Sequence, residues 1–76
     1  MNNWFMDDLC KEVKNVVLEK QKEFNCIILL GDENDTVSIS VFFINDNSIV
    51  DWEVISNTTN RYEICSGIRK FFKRYK

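Results

Sequence analysis

Two neighbouring stretches in which apolar residues occupy every second position constrain the fold of this chain more than any other feature. The apolar positions are Val37, Ile39, Val41, Phe43, Val50, Trp52 and Val54. Because successive side chains of a β-strand point to opposite faces, this period of two predicts two strands that each present one face to a core. The intervening residues 45–48, Asn-Asp-Asn-Ser, are typical of a turn, since Asn and Asp tolerate positive φ. The pattern therefore predicts a β-hairpin.

The register of this hairpin is expected to place apolar residues opposite one another on one face. With Asp46 and Asn47 as the turn, the inner pairs are Phe43–Val50, Val41–Trp52 and Ile39–Val54. We therefore expect Trp52 to face the core, where Trp52→Ala would cost about 3–5 kcal/mol. The open face of the same hairpin is expected to carry Ser38, Ser40, Phe42, Ile44, Asp51 and Glu53.

Three further elements flank the hairpin. Apolar residues at helical spacing predict one helix from about Asn3 to Phe24 and a second from about Asn60 to Tyr75. Asn60, with Glu63 three residues later, is typical of a capped helix start. The short apolar run 26–30 predicts a strand. The expected fold is α+β in the order α-β-β-β-α, a three-stranded antiparallel sheet with two helices on one face, as a single domain over residues 1–76.

The composition argues against catalysis. The chain has no histidine, which removes the commonest general base and the commonest zinc ligand, and its two glycines build no phosphate-binding motif. A calcium loop at residues 32–35, a carboxylate pair of Asp51 and Glu53, and a metal site of the three cysteines are alternatives for which simpler structural roles are favoured. We expect no enzyme, no cofactor and no metal.

The expected compartment is the cytoplasm. The N-terminus has neither the basic start nor the long apolar run of a signal peptide, and no apolar stretch reaches the roughly 18 residues of a membrane-spanning helix. Three cysteines, Cys10, Cys26 and Cys65, form an odd number without a C-x-x-C pair, which favours reduced thiols.

Charge is divided unevenly along the chain. Residues 1–55 hold four basic and eleven acidic side chains, a net charge of −7, whereas residues 56–76 hold six basic and one acidic, a net charge of +5. Basic and aromatic residues interleave near the C-terminus, as in nucleic-acid contacts, although cations also stabilise the end of a helix. The candidate nucleic-acid-binding residues are Arg69, Lys70, Lys73, Arg74 and Lys76.

Four stretches carry a resemblance to a known family: Asp8–Asn15, Ile27–Gly31, Val37–Asp46 and Ile49–Ser56. In the order of their predicted elements and the positions of the turns between them, they resemble the small phage-encoded anti-CRISPR inhibitors of the nuclease Cas9. The resemblance implies an acidic decoy that occupies the site where the nuclease reads DNA. Its decoy charges would be Asp32, Glu33, Asp35, Asp51 and Glu53. The net +5 of residues 56–76 departs from that pattern.

These observations predict a small non-enzymatic protein that binds and inhibits a larger protein, such as a bacterial defence nuclease. The expected partner-binding residues are Asp32, Glu33, Asp35, Ser40, Phe42, Ile44, Asp51 and Glu53. Two alternatives remain open, a nucleic-acid-binding module and an antitoxin or immunity-type protein. Packing of the open sheet face on a second copy of the chain is a further alternative, in which Phe42 is a dimer contact.

Overall fold

A computed structural model describes residues 2–4, 10–46 and 48–75, and the side chains of residues 10–46 and 52–75. Its elements are β1 (Asn2–Trp4), α1 (Lys11–Phe24), β2 (Cys26–Glu33), β3 (Thr36–Phe43), β4 (Ser48–Ser56) and α2 (Arg61–Phe72), followed by a 3₁₀ turn, Lys73–Tyr75. The strands form an antiparallel sheet in the order β1-β2-β3-β4. The predicted α-β-β-β-α order is confirmed, and the short strand β1 precedes it.

The first helix is shorter than expected. It was predicted from about Asn3, but Asn3 lies in β1, where it pairs with Gly31, and α1 begins at Lys11. Cys10 is the N-cap residue, in an extended conformation and without a side-chain capping bond. The buried stripe of α1 consists of Val13, Val16 and Val17. The part of the predicted helix over residues 5–9 lies outside the described residues.

The core lies between the two helices and one face of the sheet. The residues of β2 and β3 that alternate toward the helices are buried, because each helix presents an apolar stripe to them. The buried apolar residues are Val13, Val16, Val17, Cys26, Ile28, Leu30, Val37, Ile39, Val41, Ile64, Cys65, Ile68, Phe71 and Phe72. Both helices therefore cover the same face, as predicted.

The second helix is fixed at both ends. At its start the Asn60 side chain accepts hydrogen bonds from the backbone N–H groups of Tyr62 (2.9 Å) and Glu63 (3.3 Å), which confirms the predicted cap. Toward its end the ring of Phe72 stacks on Phe24, with centroids 4.8 Å apart. These aromatic contacts anchor the last turn of α2 to the end of α1.

The register of β3 and β4 differs from the prediction. Phe43 pairs with Ser48, so four residues separate the strands instead of two. Ile39 then pairs with Glu53 and Val41 with Val50, which leaves two residues of β4, Asp51 and Trp52, opposite Ser40. Such a bulge shifts the alternation of a strand by one residue.

The bulge exchanges the two faces of β4 from Trp52 onward. Ile55 packs against the core, and Glu53 reaches the helical layer. Trp52 and Val54 are 53% and 39% exposed on the opposite side. The prediction that Trp52 faces the core was wrong, because paired apolar residues across a turn do not reveal an extra residue in one strand.

A close approach of backbones joins α2 to β4. A Cβ on Gly67 would collide with the carbonyl oxygen of Ile55 and would lie 3.0 Å from its carbonyl carbon. Both are backbone atoms of β4, so they cannot move aside as the far end of a flexible side chain would. Glycine is therefore needed at this position because the backbones of α2 and β4 approach closely, and not because of an unusual backbone angle.

We expect Gly67→Ala to lower the free energy of unfolding by about 1–3 kcal/mol, because the added methyl group separates α2 from β4. Where a helix position has free space around it, alanine normally stabilises the helix by about 1 kcal/mol relative to glycine. The neighbouring exposed residue supplies the control, and Ser66→Ala should change stability by less than about 0.5 kcal/mol. Urea unfolding of the three proteins measures both effects, and a stabilised Gly67→Ala variant would contradict the close contact.

Candidate functional site

The face of the sheet turned away from the helices carries large apolar side chains. We call it the outer sheet face and define it by Ile27, Leu29, Phe42, Trp52 and Val54 together with Ser40. Ile27 is 49% exposed, Leu29 59% and Trp52 53%, while Phe42 is half-buried. Isolated exposed apolar residues are normal on a protein, but a contiguous set on one sheet face marks an interaction surface.

Cross-strand pairing holds these side chains side by side. Ile27 of β2 pairs with Phe42 of β3, and Leu29 pairs with Ser40, which lies opposite the bulge that contains Trp52. Side chains of directly paired residues lie about 4.5–5.5 Å apart at their Cβ atoms, so neighbouring rows merge into one surface. The rigid sheet presents this surface without the need to order a loop.

The next row of the outer sheet face is a small-residue row. Gly31 pairs with Ser38, and Ser38 pairs with Val54 on its other side. Gly31 and Ser38 are both buried. Ser38, which was expected on the open face, therefore offers little accessible surface of its own.

Four residues of this surface were not among the predicted site residues. Trp52 and Val54 were expected to face the core. Ile27 and Leu29 belong to the unbroken apolar run 26–30, which predicted only a strand. In the structure Cys26, Ile28 and Leu30 face the core and the two residues between them face outward. The available signal was an apolar run without alternation in a sheet that has its helices on one side. Neither described helix lies on the other side of the sheet, so neither covers the second apolar face of this run.

The predicted partner-binding residues fall into separate places. Phe42 and Ser40 lie on the outer sheet face, and Ile44 is 46% exposed in the turn after β3. Glu53 was predicted on the open face but lies on the helical side, because of the bulge in β4. The side chain of Asp51 is outside the described residues.

The predicted acidic loop is a tight turn between β2 and β3. Asn34 and Asp35 have φ values of 51° and 64°, and they connect the paired residues Glu33 and Thr36. Both residue types tolerate the left-handed conformation, and the primed turns that they form match the twist of a hairpin. Glu33 and Asp35 are exposed. Asp32 is half-buried, and its Oδ1 has no hydrogen-bond partner among the described residues.

Charge is separated between the two layers of the fold. Residues 26–56, which contain β2, β3 and β4, include no Lys or Arg. Their acidic residues are Asp32, Glu33, Asp35, Asp46, Asp51 and Glu53. Every described Lys and Arg side chain belongs to α1, α2 or the 3₁₀ turn that follows α2. The sheet layer is thus purely anionic, and the cations lie in the helical layer.

Arg74 has a structural role at the edge between these layers. Its Nη2 donates to Oε1 of Glu53 at 2.8 Å, and its guanidinium lies over the ring of Phe71, 4.8 Å from the centroid. Both partners are partly exposed to solvent, so the ion pair contributes at most about 1 kcal/mol. Because Arg74 and Glu53 are paired with each other, neither charge is as available to an external ligand as an unpaired one would be.

The remaining candidate nucleic-acid-binding residues differ in position. Arg69, Lys70 and Lys73 line a shallow depression on the outside of α2 with Ser66. Lys76 lies outside the described residues. Phe71 and Phe72, which interleave with these cations in the sequence, are buried in the core. They cannot stack on bases, so the exposed surface here is cationic but carries no aromatic platform from this pair.

The described residues offer little to a metal ion or a nucleophile. No group of three or more Cys, Asp, Glu or His side chains within residues 10–46 and 52–75 is arranged to hold a metal. Desolvation by burial raises the pKa of the Cys26 and Cys65 thiols, which favours the unreactive protonated form. None of the helices in the described part of the chain has the length and apolar character needed to cross a membrane.

Comparison with known proteins gives no match: no family model, no curated protein and no solved structure matches this chain.

We expect Trp52→Ala to change the free energy of unfolding by less than about 1 kcal/mol, because more than half of the side chain is already in water. Ile39→Ala is the contrasting variant, since Ile39 is fully buried in the neighbouring strand, and it should cost about 2–5 kcal/mol. Thermal unfolding followed by circular dichroism compares the two. If Trp52→Ala lost as much stability as Ile39→Ala, the result would contradict the outward orientation of the indole.

Proposed function

We propose that this chain is a non-enzymatic binding protein that attaches to a larger protein through the outer sheet face. The observation that carries the proposal is the contiguous apolar surface around Trp52, Leu29 and Ile27. Residues of this kind at the centre of an interface exclude water and provide most of the binding energy. Catalysis has no comparable support, because the chain lacks histidine and its thiols are buried or isolated.

The size of the chain strengthens this interpretation. A domain of 76 residues buries only about 60% of its unfolded surface, so every apolar side chain matters to its stability. Burying one Leu or Ile side chain contributes about 1.5–3 kcal/mol. Ile27, Leu29 and Trp52 forgo much of that contribution in the isolated chain. A partner that covers the outer sheet face would supply it.

Trp52 and Phe42 are the expected anchors of the interface. Aromatic side chains provide a large contact area and have few rotatable bonds to immobilise. Trp52 is exposed at the bulge in β4, opposite Ser40 of β3. Phe42 is half-buried and lies two residues beyond Ser40 on β3. Leu29 and Ile27 continue the apolar area across β2. We expect these aliphatic side chains to seal the contact and the two aromatic ones to dominate its energy.

The resemblance to Cas9 inhibitors adds the hypothesis that binding blocks the partner. The decoy form of this hypothesis has limited support, because Glu53 is paired with Arg74 on the helical side, away from the turn that holds Glu33 and Asp35. Occlusion of a partner surface by the outer sheet face is the form that the geometry favours. A DNA-cleavage assay with guide-loaded Cas9 tests this target directly, and unaffected cleavage would remove it without removing the binding proposal.

Nucleic-acid binding through α2 is the second candidate function. It is favoured by three cations, Arg69, Lys70 and Lys73, that share one exposed depression and have no ion-pair partner among the described residues. It is disfavoured by the anionic sheet layer and by the buried positions of Phe71 and Phe72. These three cations, and not Arg74, are the residues to test.

We expect a partner to be captured from the native host by a photo-crosslinking amino acid at position 52. The same amino acid at position 18 is the matched control, because Leu18 is also exposed and apolar, at 45%, but lies on α1. With the captured partner, Trp52→Ala and Phe42→Ala should each weaken binding by about 2 kcal/mol or more in titration calorimetry, whereas Leu18→Ala should not. Equal capture from both positions would contradict a site on the outer sheet face.

For the second candidate, we expect only weak and non-specific binding to single-stranded or duplex DNA. Neutralising Arg69, Lys70 and Lys73 to Gln should reduce the slope of log affinity against log salt by about 0.7–0.9 for each phosphate that the variant no longer neutralises. Fluorescence anisotropy over a salt series measures this slope. Tight binding that Trp52→Ala leaves intact and the triple variant abolishes would make nucleic acid the main ligand.

A further inference from the structure

The charged residues of β2, β3, β4 and the turns between them are all acidic. By alternation along β2, Glu33 lies on the same side of the sheet as Leu29, four residues further along the strand. Asp35 lies in the adjoining turn. At the other end of β3, the turn of residues 44–46 contributes Asp46. The eight residues of β3 between these turns span about 23 Å at the usual rise of a strand. The apolar surface is therefore bounded by acidic turns at both ends.

The described cations form no ion pair with Glu33 or Asp35 of the turn between β2 and β3. Every described Lys and Arg belongs to the helical layer on the other side of the sheet. Arg74 makes the ion pair that reaches β4, and its partner Glu53 is on the helical side. No ion pair is found for Glu33 or Asp35 among the described residues. At this end of the outer sheet face a partner thus meets acids that form no ion pair with a described cation.

We infer that the partner is a protein surface with an apolar centre and a cationic rim, in which Lys or Arg side chains face the turn between β2 and β3. This inference rests on the proposed function and adds the chemistry of the partner to it. Complementary charges at the rim of an interface accelerate association and reject partners of the wrong sign. The apolar centre would then hold the partner, and the acidic rim would select it.

The same charges disfavour a second copy of this chain as the occupant. In a symmetric dimer, two copies of the sheet that pack face to face with aligned strands are related by a two-fold axis in the plane between them. If the axis runs along the strands, the turn of Glu33 and Asp35 faces its own copy. If the axis runs across the strands, that turn faces the one that contains Asp46. Both arrangements place acids opposite acids, and neither brings a described cation of the helical layer to the interface.

Two synthetic peptides of opposite charge test the inference. One is an amphipathic helix with a leucine stripe flanked by lysines, and its twin has glutamate in place of each lysine, so the apolar contact is the same. Each is titrated into the isotope-labelled full chain, and NMR follows the backbone amides of β2, β3 and β4 and the indole N–H of Trp52. Sedimentation of the chain alone records its oligomeric state in the same buffer.

We expect the lysine peptide to shift the signals of the outer strands and the Trp52 indole, and to bind at least about tenfold more tightly than its twin, as a few rim charge pairs would produce. Added salt should reduce the difference in affinity between the two peptides, because it screens the rim charges. The variant Glu33→Lys with Asp35→Asn should largely remove it, and Asn is chosen because position 35 has a positive φ. The control Glu19→Lys reverses an exposed charge on α1 and should leave the preference unchanged. Melting temperatures confirm that the variants are folded.

Equal binding of both peptides at the Trp52 indole would overturn the cationic partner while leaving the proposed binding face in place. A wild-type dimer that Trp52→Ala converts to a monomer would overturn it in favour of self-association. A lysine-peptide preference that Glu19→Lys removes and the Glu33 variant retains would place the acidic site on α1, against the inference. Absence of any shift at the outer strands in a monomeric chain would count against both the cationic partner and the binding face.

Discussion

The extra residue in β4 is the constraint on which the two surfaces of this protein depend. Opposite Ser40 the strand contributes both Asp51 and Trp52, and the alternation of β4 changes there. As a result Ile55 packs on the core and approaches Gly67 of α2, and Glu53 meets Arg74. Without the bulge the indole would lie where these contacts now are. One local insertion therefore lets α2 dock and exposes the main apolar group of the outer sheet face.

The separation of charge by layer follows from the same arrangement. Two amphipathic helices cover one face of the sheet and bring the described cations with them, while residues 26–56 contain only acidic charges. Arg74 and Glu53 link the layers at one edge, where the guanidinium also rests on Phe71. A net charge of −2 thus combines an anionic layer and a cationic one. These two sides are suited to ligands of opposite sign, which is why the binding proposals for β4 and for α2 can be tested independently.

Sequence patterns predicted the elements better than their contacts. Strands of period two, the Asn60 cap and the stripe of Ile64, Ile68 and Phe72 were sufficient for the order of the fold. The start of α1 was missed because β1 gains its pairing from Gly31 and its neighbours, which is information that lies far along the chain. The orientation of Trp52 was missed because a one-residue bulge leaves the composition of a strand unchanged. Phe42 was found since it alternates with Val41 and Phe43, and no insertion interrupts β3 between Ile39 and Phe43.

An exposed apolar sheet face carries a risk of assembly with other copies, and the edges of this sheet limit it. β1 has only three residues, so it offers a short template for a further strand. β4 is the opposite edge, and its two irregularities, at residues 51–52 and near Ile55, interrupt the regular row of free backbone groups. Glu33 and Asp35, in the turn at one end of the face, add repulsion where that turn meets its own copy. These features disfavour pairing along the edges and stacking of the faces, and the proposed partner with a cationic rim would meet neither obstacle.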